Sequence, residues 1–426
     1  MTVTVFLGSL LAAMLVGMPI AYALLASGVA LMWHMDMFDA QILAQNFING
    51  ADSFPLLAVP FFMLAGEIMN VGGLSRRIVN VAMALVGHVR GGLGYVTIMA
   101  ACLLSALSGS AVADAAALTA LLLPMMVRAG HAPARAGGLI AASGIIGPII
   151  PPSIGFVIFG VAANVSISKL FLAGIFPGLL IGAALALTWW WLGCHETVAV
   201  PERRSRAEVW AAARESFWAL LLPVIILVGL RMGVFTPTEA AVVAAVYALV
   251  VAGLVYRELS WRMLVDIFCT ASKTTAVVMF LIAAAMVSAW LITVADLPGK
   301  MIELLEPLLN QPTLLLLAIM LLVMAVGTAM DMTPTILIMT PVLMPVVKAA
   351  GIDPVYFGVL FIINNSIGLI TPPVGTVLNV VAGVGRMKMD AVTRGVMPFM
   401  LAQLGVMLLL VLFPPLVTAP LRWLTA

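Results

Sequence analysis

Two stretches decide the fold of this chain: GPIIPPSIG at Gly147–Gly155 and GLITPPVG at Gly368–Gly375. Each interrupts a long apolar run with a Pro-Pro pair, and the two lie 221 residues apart (368 − 147). Proline brings no amide N–H to a helix and displaces the carbonyl four residues earlier. In lipid those freed groups need partners inside the protein, so a paired break at membrane depth points to a lined ion or substrate cavity.

The 426 residues are 64% hydrophobic and only 9% charged. Too little polar surface remains for a soluble fold, and apolar runs recur throughout. The chain therefore reads as an all-α polytopic membrane protein. Candidate full spans fall near residues 3–33, 54–70, 137–160, 169–192, 215–231, 237–255, 275–293, 356–382 and 396–418. The first lacks a basic n-region and is too long for a signal-peptide core, so it is expected to be retained, tilted or interrupted at Gly17 to Pro19. The net charge of +2 is spread over loops and gives no support for a nucleic-acid partner. Cys102, Cys194 and Cys269 lack metal-ligand spacing and read as small packing residues. No GxxxxGK[ST] motif occurs, so transport energy must come from an ion gradient or another subunit.

Residues 93–127 and 313–347 behave differently from the spans. Each is apolar at both ends with a polar, Gly-containing middle, ALSGSAVAD or VGTAMDMTPT, which suits a re-entrant helical hairpin. With both re-entrant, the 20 basic residues divide 15 to 5 between the two sides, which makes the richer side cytoplasmic. A shift of 221 also aligns Pro124 with Pro345, Gly147 with Gly368, Pro151 with Pro372, Pro152 with Pro373 and Pro177 with Pro398. Five full spans separate Gly130 from its counterpart Gly351, and an odd number inverts the second copy. The expected organisation is a first inverted repeat over 1–192 (hairpin 93–127, broken helix 137–160), and a cytoplasmic linker and connecting helix over 193–236. A second repeat over 237–426 carries hairpin 313–347 and broken helix 356–382. Inverted repeats with broken helices are transporter architecture.

The chemistry concentrates at the hairpin tips and breaks. SGSAVADAA puts Ser108, Gly109 and Ser110 at the first tip, with Asp114 one helical turn beyond Ser110. GTAMDMTPT offers Gly327, Thr328, Asp331, Thr333 and Thr335, and Asp331 and Thr335 repeat that spacing. Carboxylates, hydroxyls and freed carbonyls are hard oxygen ligands for a hard cation, while short helices beginning at a tip direct positive N-termini toward an anion. The breaks add Gly147, Pro151, Pro152 and Ser153, and Gly368, Thr371, Pro372, Pro373 and Gly375. Asn364 and Asn365 either line the cavity or bridge helices. Glu67 and Glu239 lie within or beside spans, where coupling and capping are both open readings. Trp189, Trp190 and Trp191 read as an interfacial belt rather than a stacking site. The polar segment Pro201–Phe217 reads as a solvated amphipathic linker.

GSAVADAAALTALLLPMM, GPIIPPSIGF, FTPTEAAVVAA, DMTPTILIMTPVLMP and NNSIGLITPPVG together resemble the large membrane subunit of tripartite ATP-independent periplasmic (TRAP) transporters, the DctM family. The resemblance covers essentially the whole chain. Within the family, DMFDAQILAQNFINGADSF, FFMLAGEIMNVGGLSRRI and SAWLIT are similar to the diketogulonate branch. The resemblance implies an ion-transporter-superfamily fold of elevator type in the bacterial inner membrane. It also implies a separate small DctQ-type membrane subunit, a DctP-type periplasmic binding protein delivering a small organic acid, and sodium as coupling ion. No other cofactor is implied. Carried over by motif, one cation site uses Ser108, Gly109, Ser110, Gly147 and Pro151, and a second uses Gly327, Thr328, Asp331, Gly368 and Thr371. Ser110, Asp114, Pro152, Ser153, Thr333, Asn365, Pro372, Pro373 and Gly375 are then expected to face the substrate.

Two other functions compete with this reading. A stand-alone ion-coupled anion symporter or exchanger would need neither binding protein nor small subunit. An intramembrane aspartyl protease would pair Asp114 with Asp331, but neither occurs in a YD or GxGD setting.

Overall fold

The computed structural model describes residues 2–193 and 203–425, and these contain helices but no strands. The first half carries α1 (Thr2–Leu15), α2 (Ile20–His34), α3 (Ala40–Ala51), α4 (Ala58–Val71), α5 (Leu74–Val86), α6 (Gly92–Ser108), α7 (Ala111–Arg128), α8 (Pro133–Gly144), α9 (Ile154–Ala163) and α10 (Ile167–Gly193). The second carries α11 (Arg206–Arg231), α12 (Pro237–Val250), α13 (Trp261–Val294), α14 (Leu297–Leu309), α15 (Pro312–Gly327), α16 (Met332–Ala349), α17 (Pro354–Gly368), α18 (Thr376–Val384), α19 (Met389–Leu412) and α20 (Pro415–Thr425). Among the described residues, eight helical stretches are long and apolar enough to cross a membrane.

Helix boundaries follow local chemistry. Gly17, at φ +87°, and Pro19 interrupt the first span and separate α1 from α2, as the sequence suggests. Ser205 with Glu208, and Thr236 with Glu239, form capping boxes that start α11 and α12. Glu239 is thus a capping residue: its carboxylate accepts from the Thr236 amide at 2.8 Å. Three expectations change. The last span is two helices, because Pro414 has no N–H to continue α19. The linker reading ends early, since α11 already begins at Arg206; residues 194–202 of that linker lie outside the described residues. The amphipathic helices α5 and α14, too short and polar-faced for a span, were not anticipated.

Helices of the two halves correspond in position. Adding 221 to α7 gives 332–349, the bounds of α16; α8 maps to 354–365, against 354–368 for α17. The partners exchange: α9 packs on α16, and α18 packs on α7. Two groups of helices result. In one, α13 packs on α2, α3 and α4, α12 packs on α4, and α11 packs on α5. Its corner is tied by Arg77, which contacts Glu258 at 2.7 Å and Glu215 at 3.5 Å and lies 3.8 Å over the Tyr256 ring. The other group holds both hairpins, α6–α7 and α15–α16, around the broken helices α8–α9 and α17–α18, of which α8, α9 and α17 are largely buried. There Gln403 of α19 donates to the Ala142 carbonyl of α8 at 2.8 Å. Trp189 belongs to this core and not to an interfacial belt. It is 1% exposed, stacks on Phe399 at 6.3 Å and donates its indole N–H to the Gly91 carbonyl, while Trp190 and Trp191 stay exposed.

Candidate functional site

The first hairpin turns in two residues. Gly109 closes α6 at φ +60°, a backbone that other residues rarely adopt, and Ser110 caps α7 through the Ala113 amide at 3.4 Å. This tight turn brings Ser108 over the first turn of α7, where its hydroxyl donates to Asp114 Oδ1 at 2.5 Å and accepts from the Ser110 amide at 3.2 Å. Asp114 is 3% exposed, and its second oxygen, Oδ2, has no hydrogen-bond partner.

The tip is seated on the first break. A Cβ at Gly109 would lie 2.6 Å from the Pro152 carbonyl oxygen, so the absence of a side chain is what permits the contact. A Cβ at Gly147 would lie 2.6 Å from Asp114 Oδ2 and 3.1 Å from the Ser110 carbonyl carbon. Pro151, Pro152 and Ser153 are all buried. Ser153 starts α9 by accepting from the Phe156 amide at 3.2 Å, and its hydroxyl donates back to the Pro148 carbonyl at 2.5 Å, spanning the break. Ser108, Gly109, Ser110, Asp114, Gly147 and Ser153 therefore converge.

The second tip meets its break through glycines. A Cβ on Gly368 would come within 3.0 Å of Gly327 Cα, and one on Gly327 within 3.3 Å of Asn365 Oδ1. Asn365 is fully buried and donates its amide to the Met332 carbonyl at 3.1 Å, while its Oδ1 is unpartnered. Asn364 instead donates to the Met320 carbonyl at 2.6 Å. Both asparagines thus bridge α17 to the second hairpin, but only Asn365 keeps an oxygen free toward the junction. Thr371 donates to Ile367 at 2.7 Å and Thr328 to Ala325 at 2.8 Å, so both hydroxyl protons return to their own helices. Gly375, at φ +50°, turns the chain into α18. Pro373 and Val374 are exposed, unlike their buried counterparts in the first break.

Asp331 takes the N-terminal cap position of α16 without a capping hydrogen bond of ordinary geometry, its carboxylate standing near the Met332 amide. It is exposed to a cavity of about 600 Å³ bounded by Tyr22 on α2 and Phe280 on α13. Thr376, the first residue of α18, stands within electrostatic reach of Asp331, yet its buried hydroxyl makes no hydrogen bond of ordinary geometry. Thr333 is half-buried beside it. Asp114 and Asp331 serve separate surroundings, which gives a shared-proton dyad no support.

Cations fit both junctions chemically. Each offers a buried oxygen with an unused lone pair beside a glycine-lined backbone, and the first adds a carboxylate whose charge is otherwise uncompensated. One residue that the sequence left undecided gains a place. Glu67, on α4, caps nothing and lines a cavity of about 270 Å³ with Asn70, Thr274, Ser108 and Ser110. No pattern around it in the sequence could have shown that α4 runs past the first tip.

Hairpins and broken helices packed inside a bundle of apolar helices define a multi-pass helical transport permease. Residues 7–416 match the family described as tripartite ATP-independent periplasmic transporter, DctM component, and the chain belongs to that family. It is therefore an integral protein of the bacterial inner membrane. It is similar to the 2,3-diketo-L-gulonate TRAP transporter large permease protein YiaN of Escherichia coli, with 57% identity over 99% of this chain and 100% of that one. The sialic acid TRAP transporter large permease protein SiaM of Vibrio cholerae is 41% identical over 93% of each chain. In fold, the chain is similar to the Alcanivorax borkumensis YdaH transporter, with a TM-score of 0.64 at 18% identity over 88% of this chain and 89% of that one.

Proposed function

We propose that this chain is the large subunit of a TRAP system that imports a small organic acid, a carboxylate or sugar acid, together with sodium. A periplasmic DctP-type protein delivers the substrate, and a separate DctQ-type subunit completes the membrane part. The observation that carries the reading is the repeated junction: a hairpin tip seated on a Pro-Pro break, twice, each time beside a buried oxygen without a partner. The 221-residue correspondence of α7 with α16 and of α8 with α17 supports two repeats of opposite orientation, each carrying half of the site.

The physical roles follow from the side chains. At the first junction Asp114, Ser110 and the Gly147–Pro151 backbone hold sodium; at the second, Gly327, Thr328, Gly368, Thr371 and Asn365 do so with uncharged oxygens. Asp331 adds negative charge at the rim. The N-terminus of α7, capped by neutral Ser110, favours the substrate carboxylate, with Pro152 and Ser153 beside it. At the other tip Thr333, Pro372, Pro373 and Gly375 border the same path. The hairpin-bearing group then moves past the α2–α4, α11–α13 group as an elevator.

Reconstitution of the chain with its small subunit and binding protein tests this. Uptake of a sugar acid is expected only with an inward sodium gradient. Undiminished uptake without sodium, driven by protons or ATP, overturns the coupling, and equal uptake by the chain alone replaces the tripartite reading with a stand-alone symporter.

A further inference from the structure

We propose that Glu67 is a positioning charge for the first cation: it holds sodium at the mouth of the first junction, on the face of the hairpin tip opposite Asp114. The inference rests on the sodium reading above and adds a residue from the helix group that does not carry the hairpins.

A Cβ at Gly66 would lie 3.6 Å from Ser108 Cα, so α4 runs in van der Waals contact with the tip. Glu67 is the next residue, and Asn70 lies one turn beyond Gly66 on the same face. Between them and the tip is the cavity of about 270 Å³, which Ser108 and Ser110 line from the other side. Glu67 is half-buried, and among the described residues it has neither an ion pair nor a hydrogen bond. Asn70 cannot neutralise it, and the Asn70 Oδ1 already accepts from Ser75 at 2.8 Å. Thr274, facing it from α13, is uncharged and donates its hydroxyl to Thr270 at 2.9 Å.

An uncompensated carboxylate in an apolar bundle is costly and marks a functional position. What it can favour is set by sign. A cation in the cavity gains from Glu67, and next to it Ser108 and Ser110 lead to the buried Asp114, whose Oδ2 is free. Two carboxylates thus flank the serine tip, one fixed in the hairpin group and one on α4. When the hairpin group moves away from α4, Asp114 travels with the ion and Glu67 stays behind. The affinity of the first site then depends on conformation without any change in its own ligands.

Sodium titrations of thermal unfolding, with the complete membrane complex in lipid nanodiscs and choline as the balancing cation, test the assignment. Glu67→Gln is expected to raise the half-saturating sodium concentration about three- to tenfold, the size of an electrostatic effect in a confined cavity. Glu67→Asp, which keeps the charge, should stay within about twofold of the parent. A Glu67→Gln titration that superimposes on the parent overturns the proposal. So does equal weakening by Glu67→Asp, which would make the role one of shape. A substrate affinity that shifts while the sodium curve does not would also overturn it and move Glu67 to substrate recognition. If the unsubstituted complex shows no sodium-specific stabilisation, the coupling reading itself falls, an outcome separate from the other three.

Discussion

The two tip-and-break junctions share a backbone plan and differ in where the charge sits. In the 221-residue register Ser110 corresponds to Asp331, and Asp114 to Thr335. The carboxylate has moved one turn, from inside α7 to the cap position of α16. At the first junction it is 3% exposed and bonded to Ser108; at the second it faces a cavity, and the buried free oxygen belongs to the neutral Asn365. Geometry alone would make the junctions equivalent. Burial of the charge makes them unequal: only at the first does an empty site leave a desolvated carboxylate uncompensated, so that site should depend most steeply on its ion.

The two aspartates should differ most. Removing the charge without changing the shape, by Asp114→Asn, is expected to lower sodium-driven uptake about hundredfold, in line with the roughly 3 kcal/mol that a buried charge pair loses with one partner. Asp331→Asn should cost about tenfold, because its carboxylate opens onto a cavity and is not sealed inside protein as that of Asp114 is. Initial uptake rates in vesicles containing the full complex measure both. If Asp331→Asn is as damaging as Asp114→Asn, the inequality read from burial is wrong.

Glycine contacts give the next largest effect and treat the junctions alike. Gly147→Ala would bring a methyl to within 2.6 Å of Asp114 Oδ2, and Gly368→Ala to within 3.0 Å of the Gly327 backbone. Neither partner is the loose end of a flexible side chain. Both variants should lower stability by about 1–3 kcal/mol and reduce uptake about tenfold or more. Gly383→Ala on α18, where nothing lies within 4 Å, should leave uptake unchanged. Thermal unfolding and uptake on the same preparations check the set.

How far the sequence carries depends on the range of the interaction. The Pro-Pro pairs, the hairpin tips near 108–110 and 328–331 and the capping alternative for Glu239 were legible, because proline, glycine and capping chemistry act within a few residues. Trp189 was not: an aromatic at the end of an apolar run fits an interface, and only the fold brings Phe399, 210 residues away (399 − 189), against its ring. Glu67 was undecided for the same reason. The cavity it lines is made by α4, α6, α7, α9 and α13, which no local pattern brings together. The amphipathic α5 and α14 escaped notice because a hydropathy window looks for spans, and their stabilising apolar faces are narrower.

Asn364 and Asn365 give the smallest and most discriminating test. They are adjacent, both buried, and both donate to hairpin carbonyls, so a purely structural reading treats them as equals. They differ in where the amide oxygen sits: Asn365 Oδ1 is sealed inside the protein without a partner and lies toward Gly327. Substitution with Leu removes a buried hydrogen bond in either case and should cost each about 1–3 kcal/mol in thermal unfolding. Only Asn365→Leu should also raise the half-saturating sodium concentration, by about threefold, since one neutral ligand among several is worth less than 1 kcal/mol net. Equal sodium curves for the two variants would show that the free amide oxygen is not a ligand, leaving the second junction to backbone carbonyls and the hydroxyls of Thr328 and Thr371.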